Sequence, residues 1–168
     1  MTTDRPIADQ PIDSRAFRSA LGCFATGIAV ITALEPDGQP VGVTVNSFSS
    51  VSLDPPLVQF CLGRASASFA AFTTAPSFAV NILADHQEAL SARFSRRDLQ
   101  ERWSEVAVET WDTGVPILSD CLATLECDRA HLFDGGDHVI IVGRVRRLRS
   151  REDGNPLLYF RGRYAGVA

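Results

Sequence analysis

Four stretches of the chain gather side chains able to do chemistry. The first, Gly42-Val43-Thr44-Val45-Asn46-Ser47-Phe48-Ser49-Ser50-Val51-Ser52, abandons strand alternation for small hydroxyl and amide groups. Such groups donate and accept hydrogen bonds without bulk, so they can line a flat ring that carries several carbonyls and ring nitrogens. A plainer reading has the serines satisfying only their own loop backbone. The second, Cys61-Leu62-Gly63-Arg64-Ala65-Ser66-Ala67-Ser68-Phe69, runs from a strand into a helix start with Arg64 and two serines at the junction. Helix N-terminal amides and a guanidinium together attract phosphate, although an ordinary N-cap at Ser66 beside a solvated Arg64 explains the same residues. Third, Asp134-Gly135-Gly136-Asp137-His138 reads as a hairpin turn that can also present the His138 imidazole to a ligand. Fourth, Arg144, Arg146, Arg147, Arg149 and Arg151 place cations on both faces of one strand end, either protecting an edge or attracting nucleotide phosphate.

Other chemistries lack their residues. No Gly-x-Gly-x-x-Gly turn follows a strand and no Gly-x-x-x-x-Gly-Lys-Ser/Thr loop occurs, which removes the common dinucleotide and triphosphate cradles. There is no His-Glu-x-x-His and no Gly-x-Ser-x-Gly, and His86, His131 and His138 have no metal-like spacing, so no metal is expected. Cys23, Cys61, Cys121 and Cys127 form no Cys-x-x-Cys pair and lie in apolar stretches, as buried free thiols of a reducing cytoplasm would.

The elements that must hold these stretches follow from periodicity. Ser14 is a candidate N-cap for a helix carrying Phe17, Ala20, Leu21 and Phe24 to about Ala25, with Gly27 as its stop. Ile28 to Leu34 and Pro40 to Asn46 read as a hairpin about Pro36-Asp37-Gly38. Asp54-Pro55-Pro56 punctuates the chain before a strand over Leu57 to Leu62, a short helix over Ala67 to Thr73 capped by Ser66, and a strand over Phe78 to Leu83. His86 to Arg96 reads as an amphipathic helix, followed by a polar connection through Thr113. Leu125 to Leu132, Val139 to Arg149 and Leu157 to Tyr164 complete the strands. Many strands with few helices and no regular alternation of the two point to a closed antiparallel barrel.

The 168 residues suit one domain, expected over residues 14–168 behind a flexible tail at 1–13 that lacks the features of a secretory signal. No apolar run approaches the roughly 20 residues of a membrane-spanning helix. A formal charge of −4 gives no reason to expect a nucleic-acid partner, and all 16 basic residues are Arg.

Together these stretches resemble the flavin reductase-like family of split-barrel FMN-binding proteins, which includes the small reductase components of two-component flavin monooxygenases. The resemblance begins at Phe17 to Thr32, passes through Gly42 to Leu57, Ala65 to Phe69, Phe78 to Leu83 and Pro116 to Val145, and ends at Pro156-Leu157-Leu158-Tyr159-Phe160-Arg161-Gly162-Arg163-Tyr164. Its joint signature is the order of Thr44-Val45-Asn46-Ser47-Phe48, Ser50-Val51-Ser52, Pro55-Pro56-Leu57 and Gly136-Asp137-His138.

The resemblance implies a mainly β fold, a six-stranded antiparallel Greek-key split barrel. It also implies a cytoplasmic homodimer with flavin sites near the subunit interface, in which NADH or NADPH reduces FMN or FAD for a partner monooxygenase. A flavin-retaining oxidoreductase or a flavin-binding module of the same barrel is the alternative. By position, Thr44, Val45, Asn46, Ser47, Phe48, Ser49 and Ser50 would hold the ring and ribityl chain. Cys61, Leu62, Ala65, Ser66, Ala67, Ser68 and Phe69 would run beside the ribityl and phosphate. Asn81 would pack nearby, Arg93, Phe94 and Ser95 would reach the phosphate, and Tyr164 would close the set. His138, on the nicotinamide side, is the catalytic candidate.

Overall fold

A computed structural model of the chain describes residues 11–96 and 102–167. In chain order the elements are α1 (Ser14–Leu21), β1 (Thr26–Gly27), β2 (Ala29–Leu34), β3 (Pro40–Val45), β4 (Ser49–Leu53), β5 (Pro56–Gly63), α2 (Phe69–Thr74) and β6 (Ser77–Ile82). After a single 3-10 turn at Asp85–Gln87 come α3 (Glu88–Ser95), β7 (Val108–Thr110), β8 (Pro116–Leu118), β9 (Ala123–Gly135), β10 (His138–Ser150), β11 (Leu158–Phe160) and β12 (Arg163–Ala165).

β2 shows why the sheet has two covered faces. Its apolar run is buried at successive residues and not at alternate ones, as expected of a strand packed on both sides. Ala29, Ile31 and Ala33 join Val45, Phe60, Phe72 and Phe78 in the inner core, whereas Val30 faces Leu83, Phe94 and Leu118. Seven strands form the main sheet in the order β3-β2-β6-β9-β10-β5-β4, and every pair is antiparallel. The sheet curls until β3 and β5 meet across the inner core. Register shifts at Val142/Gly143 and Val145/Arg147 in β10 and at Ser50/Ser52 in β4 mark bulges, which bend strands and tighten their twist. Gly143 is required at the first of these, because the Phe78 ring occupies the place of a Cβ.

The antiparallel barrel architecture is as expected, but the main sheet has seven strands where six were expected. The extra one is β4, whose serines the sequence suggests are a polar connection. They pair with β5 and leave their side chains mostly outward, a polar edge of the kind that discourages association. Two small sheets, β1-β11-β12 and β7-β8, flank the barrel.

Several boundaries shift for local reasons. Asp13, not Ser14, caps α1, its carboxylate accepting from Ala16 N at 2.8 Å, and the helix ends at Gly22 well before Gly27. α2 begins at Phe69, with Ser68 as N-cap in place of Ser66. Leu157 to Tyr164 is not one strand: Arg161 and Gly162 adopt φ of 49° and 78° and fold it into the β11–β12 hairpin. Cys121 and Cys127 are buried, but Cys23 is exposed and Cys61 is half-buried, and all four thiols are free. Of the expected tail, residues 1–10 lie outside the described residues. No helix among those described is long and apolar enough to cross a membrane.

Candidate functional site

A two-chambered cleft opens where the end of β3 passes between α3 and the β1-β11-β12 sheet. The inner chamber, about 280 Å³, is lined by Ile28, Thr44, Val45, Asn46, Ser91, Ser95, Tyr159 and Tyr164. The outer one, about 670 Å³, is bounded by Arg18 and Leu21 of α1, by Phe24 and Thr26 beyond it, and by the Asn46 to Ser49 segment. Asn46 and Tyr159 line both chambers and so stand at the neck. These volumes fall near the roughly 300–1,000 Å³ typical of small-molecule sites.

Hydroxyls fix the inner chamber's walls. Thr44 Oγ1 donates to Ser91 O at 2.7 Å, Ser91 Oγ and Tyr164 OH lie 3.0 Å apart, and the Tyr159 and Tyr164 rings meet edge to face at 5.8 Å. Ser95 Oγ donates to Ala92 O at 2.8 Å. Among the described residues, Asn46 is exposed with no partner for its amide, and Thr26 Oγ1 is buried with no partner. This set of unspent amide and hydroxyl groups around an apolar slot fits a flat, polar-edged ring.

Of the residues singled out from the sequence, Thr44, Val45, Asn46, Ser47, Phe48, Ser49, Ser95 and Tyr164 line the cleft. Ser50 follows Ser49 on the exposed β4 edge. Ser47 is largely committed to the fold: its hydroxyl accepts from Cys61 N at 3.0 Å and donates to Cys61 O at 3.2 Å. Four others are core residues. Leu62 and Ser68 are 3% and 2% exposed. Phe94 is fully buried against Trp103, their ring centroids 4.9 Å apart, in space that Gly42 leaves open. Asn81 is also enclosed, donating to Val30 O at 3.0 Å and Thr32 Oγ1 at 3.2 Å and accepting from Leu118 N at 3.0 Å. Its amide ties β6 to β2 and β8 and has nothing left for a ligand. Arg93 donates to Ser104 O at 2.6 Å and borders a different cavity, of about 370 Å³.

The second stretch is a brace for the third. Arg64 donates from its backbone N to Asp137 O and from Nε to Gly136 O, each at 2.9 Å, and pairs with Asp134 at 3.2 Å. Ala65 and Ala67 are exposed, Phe69 leans on the inner core, and Ser66 Oγ accepts from Ser68 N at 3.3 Å. His138 pairs with Gly63 across the β10–β5 ladder, and its Nδ1 lies 2.7 Å from Asp137 Oδ1. That bond, then the imidazole's charge, and more weakly Arg18, hold the Asp137 carboxyl below its usual range. Asp134 is likewise lowered, first by the Gly136 N–H and then by Arg64.

The fourth stretch is an ion-paired edge. Arg146 meets Asp128 at 3.1 Å, Arg147 meets Asp112 at 3.4 Å and Arg149 meets Glu109 at 2.6 Å. Arg147 also lies over the Trp111 ring at 4.6 Å, and Arg151 is held by Asp120 and Asp153. Sequence reasoning missed Thr26, Ile28, Ser91, Tyr159 and the α1 side chains as cleft residues. Only Ser91 carried a signal, a small polar residue one turn from Phe94 on the inner face of α3.

Residues 21–168 match the flavin reductase like domain. The chain is 47% identical over 152 residues to FMN reductase (NADH) SmoA of Agrobacterium fabrum, covering 90% of this chain and 85% of that protein. It is 41% identical over 167 residues to HsaB of Rhodococcus jostii, the reductase subunit of a flavin-dependent monooxygenase, covering 99% and 85%. Among solved structures, the NADH:FAD oxidoreductase SgcE6 of Streptomyces globisporus in complex with NAD and FAD fragments superimposes with a TM-score of 0.87 at 32% identity, covering 95% of this chain and 98% of that one.

Proposed function

The chain belongs to the flavin reductase-like domain family, and from that premise we propose that it is an NAD(P)H:flavin oxidoreductase whose flavin ring enters the cleft at the Asn46–Tyr159 neck. It reduces flavin and supplies a partner monooxygenase, a reading supported by its similarity to the reductase subunit of a flavin-dependent monooxygenase and to the reductase subunit of a stachydrine N-demethylase. The observation that carries the site is the neck: one amide free of partners among the described residues and one aromatic ring, shared by two chambers lined with small hydroxyls.

Flavin bound there would accept hydride at N5 from nicotinamide C4, chemistry that belongs to the two cofactors. The protein's part is positioning. Asn46 and Ser49 offer hydrogen bonds to ring heteroatoms, Val45, Phe48 and Tyr159 exclude water, and Thr44 acts through Ser91 to set the Tyr164 hydroxyl. Asp137, held anionic, accepts from His138 Nδ1 and thereby fixes the imidazole with Nε2 outward toward Gly63. His138 positions the nicotinamide nucleotide.

We take NADH as donor and FMN or FAD as acceptor because the similar proteins bear those names. Four free thiols support a reducing, cytoplasmic setting. The chain works as a homodimer: α1 buries none of its own residues, and Phe17, Leu21 and Phe24 are 53%, 58% and 76% exposed.

Steady-state oxidation of NADH and NADPH with FMN, FAD and riboflavin, beside the spectrum of the purified protein, tests the reading. Flavin-dependent NADH oxidation is expected. A protein that binds flavin yet oxidises neither nucleotide overturns it in favour of a flavin-binding module.

A further inference from the structure

Most of the ion pairs among the described residues are made by five arginines. Arg64, Arg146, Arg147, Arg149 and Arg151 hold carboxylates. Arg15, Arg18 and Arg161 make no ion pair among the described residues, yet they converge on one opening. Arg15 and Arg18 are three residues apart on α1 and share a face of it. Arg161 reaches the same place from the β11–β12 turn, which is fastened to α1 where Arg161 N donates to Gly22 O at 2.8 Å.

A cavity of about 670 Å³ lies beneath the three side chains and joins the outer chamber through Arg18, Gly22, Arg161 and Gly162. Among the described residues no carboxylate lines either space, although the chain carries 20 acidic residues and a net charge of −4. Three like charges gathered at one opening, with Asp137 only weakly coupled to Arg18, repel one another and raise the local potential for an anion. Arg161 is also held at a φ of 49°, a left-handed conformation that costs a non-glycine residue free energy. Its guanidinium is steadied 5.2 Å from the Phe160 ring.

We propose that Arg15, Arg18 and Arg161 form a phosphoryl-binding mouth that receives the phosphate of a nucleotide whose ring system enters the cleft. The proposal rests on the reading of the cleft given above. The phosphate belongs either to the flavin or to the pyrophosphate of the nicotinamide dinucleotide, since a guanidinium fork suits both.

The test compares the wild-type protein with Arg18→Gln/Arg161→Gln and with the triple variant that adds Arg15→Gln. Fluorescence titration gives Kd for riboflavin, FMN and FAD, and kinetics give KM for NADH. If the mouth takes the flavin phosphate, the FMN and FAD Kd rise about tenfold or more toward the riboflavin value, and riboflavin is unaffected. If it takes the dinucleotide, flavin Kd values hold and KM for NADH rises by a similar factor. Either result supports the proposal. Should the variants fail to fold, the wild-type protein still decides: raising salt from about 50 to 500 mM must weaken FMN or NADH binding more than riboflavin binding. The mouth is overturned if all constants stay within about twofold, if riboflavin weakens as much as FMN, or if only the oligomeric state changes, the arginines then serving a second copy's carboxylates. A wild-type protein that binds no flavin and oxidises no NADH removes the reading of the cleft itself.

Discussion

The Ser47 hydroxyl engages both polar atoms of the Cys61 backbone, accepting from N at 3.0 Å and donating to O at 3.2 Å. β3 has ended at Val45 and β5 continues to Gly63, so this side chain bridges the two ends of the curled sheet where no backbone ladder joins them. Ser47 and its neighbour Asn46 therefore divide their labour. Ser47→Ala is expected to destabilise the fold by about 1–2 kcal/mol, seen as a lowered Tm, with flavin affinity falling only as the cleft loosens. Asn46→Ala is expected to leave Tm unchanged and to weaken flavin binding by about fivefold or more, measured by fluorescence quenching. The reverse pattern would place the ligand contact on Ser47.

His138→Ala is expected to raise KM for NADH far more than the flavin Kd, with a loss of roughly 5- to 150-fold in kcat/KM. The side chain is about half exposed and, among the described residues, bonded only to the exposed Asp137, so Tm should hold. A lower Tm with a wild-type KM would reduce the imidazole to a turn-closing group.

Burial pushes the Cys127 thiol from an ordinary 9.0 up to about 12, with Asp128 and Glu126 adding to the shift. Burial also pushes Cys121 up to about 11. The folded state keeps these protons longer than the unfolded chain, so their contribution to stability is complete below about pH 9 and is lost as pH rises toward 11 to 12. Urea melts between pH 8 and pH 11 should show stability falling with pH, and Cys127→Ala should flatten that slope. Iodoacetamide at pH 8 should label the exposed Cys23 well before Cys121 or Cys127.

Phe17→Glu places a charge on the exposed face of α1 at a residue that lines neither chamber of the cleft. Light scattering is expected to report a particle of about twice the chain mass for the wild-type protein and a monomer for the variant, with far-UV circular dichroism unchanged. A wild-type monomer would refute the dimer.

The barrel was legible because its strands are written in apolar runs such as Ala29 to Leu34 and bounded by Gly, Pro and Asp. The polar stretch from Thr44 to Ser49 was legible as a cleft wall because it breaks that pattern with small hydroxyls. What could not be read was which polar group is spent inside the fold. Asn81, Ser47 and Arg64 look like ligand contacts in one dimension, but each is consumed by partners 37, 14 and 72 residues away, among others that only the folded chain brings near. Tyr159 and Arg18 enter the site the same way, by tertiary placement. The β11–β12 hairpin was hidden because Arg161 adopts a conformation usually left to glycine.

Helix α1 has eight residues, none of them buried, and its backbone link to the rest of the chain is Arg161 N to Gly22 O. Helices shorter than about 12–15 residues are marginal in water on their own. The persistence of this one is therefore a thermodynamic loan from whatever occupies its outer face or the opening beneath it. Amide hydrogen exchange along Phe17 to Leu21 should slow when nucleotide or a second copy is added, by the factor that the same ligand's affinity loses when the helix is broken with Ala20→Pro. If exchange slows in this way, ordering of α1, which buries none of its own residues, and occupancy of the cleft are one linked equilibrium.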